Sequence, residues 1–172
     1  MPYQDCSGPA PAAETASPEP SAQRLADANI NPATGLATDY LNHFYEAIML
    51  LEMLPGCPDC RDDILAWRPL TYREHFAGSA FSDRALAIAA YETVDAAARG
   101  RLEALTAAMS ALIEDVRAAL LANPASGAVD ERAARAAARL RPLAAQAAAL
   151  ITGAGDADAE APQALIDGLM NT

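Results

Sequence analysis

Lysine is absent from this chain of 172 residues: all 12 basic residues are arginine, set against 23 Asp and Glu, for a formal net charge of −11. Phosphate groups would be repelled over most of such a surface, so nucleic acid is not an expected partner. Cysteines number three, two of them in one short motif, too few for a disulfide framework. No stretch of about 18 large apolar residues occurs, so neither a membrane-spanning helix nor a membrane partner is expected. The first 30 residues hold one basic residue, Arg24, and no apolar run, unlike a secretory leader or an Arg-rich transit peptide. The expected location is cytoplasmic. Aromatic residues are scarce, at 5% of the chain, which makes the position of each one informative.

Apolar residues reach 52%, but alanine supplies 44 of them, leaving about 45 larger apolar side chains. That suffices for one modest core. Residues 1–34 are rich in Pro, Ala, Ser and Glu. Such a segment buries too little apolar surface to offset its ordering entropy, and a disordered tail is expected there. From Leu36 to Leu54, the residues Leu41, Phe44, Ile48 and Leu51 recur at helical spacing. Thr38 or Asp39 is placed to cap that helix, and Pro55-Gly56 to end it. A short helix is expected near Arg61–Trp67, within a segment where Trp67, Tyr72, Phe76 and Phe81 crowd together. This aromatic cluster must dock on something, most simply the first helix.

From Ser82 to Ala122 the pattern reads as one long helical run with Gly100 as its expected bend. Ala98, Leu102, Leu105, Met109, Leu112, Val116 and Ala119 form a heptad seam, the signature of a coiled coil. Asp95, Arg99 and Glu103 fall at i, i+4 steps and read as exposed ion pairs. A turn at Asn123–Gly127 leads into a second run to Ile151, with Ala136, Leu140, Leu143, Ala147 and Leu150 as its seam. So short a connection makes the two antiparallel neighbours, with Arg135 brought near Glu114 and Asp115 and a kink expected at Pro142. The fold class is therefore all-α. It comprises a disordered tail over 1–34, a small helical bundle with a long antiparallel hairpin over 35–152, and an acidic linker with a short amphipathic helix over 153–172.

Several constellations bear on chemistry. His43, Cys57, Cys60 and His75 together supply the ligand types of a zinc site, because a Cys-x-x-Cys turn can present two thiolates to one ion. Otherwise no cofactor is implied. The same cysteines at a helix start also fit a dithiol redox pair, although no strand precedes them as in thioredoxin-like proteins. Asp39, His43 and Glu46 share a helix face and, with Glu74, His75 or Glu92, would make a carboxylate–histidine di-metal set in a bundle. A phosphotransfer histidine would be followed by Lys and Gly, which His43 lacks. No nucleophile elbow, phosphate-binding loop or zinc-protease motif is present. The sequence reading accordingly favours a non-enzymatic interaction or adaptor module with a protein partner, self-associating as a homo-oligomer. Its expected contact residues are Ile48, Leu51, Met53, Leu54, Trp67, Tyr72 and Phe76. The alternative is a zinc-type metal-binding bundle built on His43, Cys57, Cys60 and His75.

Overall fold

A computed structural model describes residues 20–57, 59–123 and 127–154, and the described residues form seven α-helices and no strand. They are α1 (Ala22–Asp27), α2 (Asn42–Met53), α3 (Cys60–Ala66), α4 (Tyr72–Gly78), α5 (Arg84–Thr93), α6 (Ala96–Ala122) and α7 (Gly127–Thr152). The all-α bundle with a long hairpin is what the periodicity called for. The amphipathic C-terminal segment around 162–170, and residues 1–19 of the tail, lie outside the described residues.

The hairpin of α6 and α7 is the spine. Its antiparallel sense is marked near the turn by Arg132 Nη1, which donates to both Asp115 oxygens at 2.9 and 3.0 Å. At the far end Ala98 and Leu150 line one small cavity. Arg132, not Arg135, makes the interhelix pair: Arg135 instead reaches Glu131 on its own helix, and Glu114 pairs with Arg117. Small side chains let the backbones approach, since Ala133, Ala136, Ala137, Ala144 and Ala147 are buried on α7. The seam also rotates toward the C-terminal side on both helices. Ile113, Leu120 and Ile151 are buried where Leu112, Ala119 and Leu150 were expected, as a straight helix drifts from a 3.5-residue repeat.

The long run expected from Ser82 is two helices. Asp95 accepts from the Ala97 and Ala98 amides and so starts α6, while Val94, extended at ψ 137°, ends α5. The supposed exposed ion-pair row is thereby dissolved. Asp95 is a cap, Arg99 donates to the Val94 carbonyl and lies over the Tyr91 ring, and Glu103 accepts the Tyr91 hydroxyl. Gly100 lies within α6 with open space around it and marks no break. Helix α7 likewise continues through Pro142. Pro142 and Ala138 are both exposed, so the carbonyl that loses its donor is open to water.

Helix α2 packs on α7, α3 bridges α2 and α6, and α4 pairs with α5. No side chain caps α2; a single 3₁₀ turn, Thr38–Leu41, feeds into it, so the Thr38 or Asp39 cap is not used. Residues 20–34, expected to belong to a structureless tail, are instead part of the fold. Ser21 caps α1 by accepting from the Arg24 amide, and Ile30 and Leu36 are fully buried. Few apolar residues do this work: Leu25, Ile30 and Leu36 seal the end of the bundle, and Thr34 Oγ1 donates to the Ile151 carbonyl at 2.6 Å. Gly35, at φ 71°, makes the reversal possible, because a Cβ there would sit 3.2 Å from Val94 Cγ2 and 3.3 Å from the Ala90 oxygen.

Candidate functional site

The aromatic segment does dock on α2. Trp67, at the end of α3, stacks on His43 with centroids 4.7 Å apart and donates from Nε1 to the His43 carbonyl at 3.2 Å. Helix α4 begins with a reciprocal capping box between Thr71 and Glu74, which fixes how Tyr72 and Phe76 enter the core. Tyr40, Tyr72 and Phe76 then form a chain of ring contacts, with centroids 5.2 Å and 4.7 Å apart in sequence.

Both histidines belong to this cluster rather than to a metal centre. His43 Nε2 lies 2.8 Å from the Arg68 carbonyl, which can only accept, so Nε2 carries the proton and is occupied. The His75 ring lies 6.2 Å from that of His43 and packs edge-on against Tyr40 and Phe76. Burial lowers both imidazole pKa values. The cysteines sit across the α2–α3 connection, Cys57 half-buried and Cys60 buried, both as free thiols. Among the described residues, no group of three or more His, Cys, Asp or Glu gathers closely enough to hold a metal ion. His43, Cys57, Cys60 and His75 are therefore not brought together as a four-ligand zinc set. The di-metal set is not assembled either: Glu74 is engaged in the capping box, and Glu92 pairs with Arg73.

A redox-active thiol needs a lowered pKa. The Cys60 thiol departs in the other direction, raised by its hydrogen bond with Cys57 and by burial. Cys60 by itself is thereby a poor nucleophile.

Of the seven residues expected at an interaction surface, six are internal. Ile48, Leu51, Leu54, Trp67, Tyr72 and Phe76 are buried within the chain and form its core; Met53 alone is exposed. The sequence pattern identified the apolar breadth of α2 correctly, but α3, α7 and the aromatic segment cover most of it. What remains outside is a narrower stripe. Tyr45, Met49 and Met53, at four-residue steps, are 46%, 51% and 47% exposed. Tyr45 and Met49 were missed as surface residues, although the signal was available, since positions 45, 49 and 53 share the face opposite the Phe44, Ile48 and Leu51 seam. Also missed was Arg117, whose guanidinium is mostly buried and donates to the Ile64 and Leu65 carbonyls at 3.1 and 2.9 Å. An arginine on a heptad flank gives no sequence signal that it reaches a helix 52 residues away.

No described helix is long and apolar enough to cross a membrane. The chain matches no protein-family model, no curated protein and no solved structure.

Proposed function

We propose that this protein is a non-enzymatic helical interaction module that self-associates through the exposed face of α2. The observation that carries the reading is the stripe of Tyr45, Met49 and Met53, three large apolar side chains about half exposed on one helix face. At 1.5 Å per residue the stripe is about 12 Å long. It is centred on Met49, so a two-fold axis at that residue sets Tyr45 of one copy level with Met53 of the other, the self-complementarity an isologous contact requires. Met side chains adapt to such a surface and make favourable sulfur–aromatic contacts with tyrosine.

The area argues for a weak and reversible contact. Half of about 200 Å² from each of three side chains is about 300 Å² per copy, well below the roughly 800 Å² per partner of a stable interface. Burying about 600 Å² in total is worth about 15 kcal/mol gross. The loss of translational and rotational freedom, about 4–15 kcal/mol, and side-chain ordering offset most of that.

Sedimentation velocity over a wide concentration range tests the reading. The wild type is expected to show a rising sedimentation coefficient, and Met49→Glu to remain monomeric at every concentration. Leu121→Glu, at an exposed position on another helix, serves as control and should behave as wild type. A wild-type chain that stays monomeric throughout, or a Met49→Glu variant that associates like wild type, would reject it.

A further inference from the structure

A cleft of about 730 Å³ opens between α6 and the segment that leads into α4. Its volume falls within the range of small-molecule sites. Pro69, Leu70 and Ala107 supply the accessible apolar wall, the buried Tyr40, Tyr72, Tyr91 and Leu102 back it, and Thr106 is part of the lining. Thr106 is the one polar residue buried among the described residues. Its hydroxyl donates to the Glu103 carbonyl at 3.1 Å, and the Tyr40 hydroxyl donates to the Leu70 carbonyl at 2.8 Å.

The charged residues of the lining are two glutamates and one arginine, and Arg99 lies over the Tyr91 ring behind them. Glu103 lies on the α6 wall and Glu74 on the α4 wall, while the guanidinium of Arg73 pairs with Glu92. Glu103 accepts the Tyr91 hydroxyl at 2.7 Å. That partner is a neutral hydroxyl, since burial raises the Tyr91 pKa. A neutral hydroxyl also orients the carboxylate without competing for a cation.

We propose that this cleft binds a small organic amine, with its apolar body against Pro69, Leu70 and Ala107 and its ammonium against the Glu103 carboxylate. An apolar pocket with a few convergent polar groups is the usual form of a ligand site, and here those groups select a cation. An anion would meet Glu74 and Glu103 at the rim. A neutral ligand would fill the walls but leave the carboxylates without a charged partner.

The test is titration of the full-length, isotope-labelled chain with phenethylammonium, phenethyl alcohol and hydrocinnamate, three probes that share a body and differ in head-group charge. Phenethylammonium is expected to bind saturably and to move the Thr106 and Tyr91 amide resonances. The alcohol should bind about tenfold more weakly and hydrocinnamate more weakly still. Glu103→Gln keeps an acceptor for Tyr91 and removes the charge. It should weaken phenethylammonium about tenfold while leaving the alcohol unchanged. Ala107→Phe, at an exposed position on the cleft wall, should block all three probes in a chain that circular dichroism shows to be folded. Hydrocinnamate binding as tightly as the amine, an unchanged amine affinity in Glu103→Gln, or no saturable response to any probe at Thr106 and Tyr91 would overturn the proposal.

Discussion

Replacing Arg117 with methionine tests what ties α3 to the hairpin. Arg117 projects from α6 with its side chain only 12% exposed. Its Nε and Nη2 donate to the Ile64 and Leu65 carbonyls, and its Nη1 to Glu114 Oε1 at 2.5 Å. Ile64 and Leu65 stand in the last turn of α3, where carbonyls have no partner within the helix and the helix end carries partial negative charge. A hydrogen bond to a charged group is worth about 1.5–3 kcal/mol, which sets a ceiling of about 3–6 kcal/mol for the two carbonyl bonds. Methionine keeps the aliphatic packing, and the Leu65 carbonyl still accepts from Arg68 Nη1 at 2.6 Å, so the expected loss is about 2–3 kcal/mol. Lysine should recover only part of it, because one ammonium cannot reproduce the spacing of the guanidinium fork. Urea unfolding followed by Trp67 fluorescence and by far-UV circular dichroism is the assay. Trp67 is the only tryptophan in the chain and stands at the end of α3. A loss below about 0.5 kcal/mol for Arg117→Met, the range of ordinary surface substitutions, would refute the reasoning.

Two further predictions concern α6 and the histidines. Gly100 stands in the interior of α6 with nothing within 4 Å of where a Cβ would be. Gly100→Ala should therefore stabilise the chain by about 0.5–1 kcal/mol, and a lower urea midpoint would contradict this. Burial holds His43 and His75 below the usual imidazole range, although the Arg68 carbonyl opposes it for His43 and Asp39 for His75. Below the unfolded value of about 6.5 the unfolded chain then binds more protons than the folded one. Their contribution to stability is complete above that pH and is lost as pH falls through the folded pKa values. Urea midpoints at about pH 7.5 and about pH 5.5 should differ less in the double variant His43→Gln, His75→Gln than in wild type, and an unchanged difference would contradict this.

Helical periodicity carried far in this chain where side chains are large. The Leu41, Phe44, Ile48 and Leu51 seam and the Leu102, Leu105, Met109 and Val116 seam are buried as their spacing implied. It failed where one residue acts through the backbone. Asp95 reads equally well as a charge on a helix face or as a cap, and only the extended Val94 before it decides between them. Residues 22–34 looked like tail because their composition is poor in large apolar residues, yet composition averages over a segment. Ile30 and Leu36 are enough to close a bundle end when Gly35 supplies the reversal. For the site, breadth of apolar character on α2 could be read from the sequence. Which face the rest of the chain covers could not, because that depends on contacts between α2, α3 and α7 that no local spacing encodes. Proximity of cysteine and histidine in sequence misled for the same reason: stacking on Trp67 turns His43 toward the aromatic cluster.

The central claim, that copies of this chain meet through the Tyr45, Met49 and Met53 stripe, is tested most directly by dilution of the isotope-labelled protein. Amide and methyl resonances are followed from the highest soluble concentration downward. Resonances of Tyr45, Met49 and Met53 are expected to move together along one binding curve while those of Leu121, exposed on α6, stay fixed. Dilution shifts confined to other helices, or none anywhere, would contradict it.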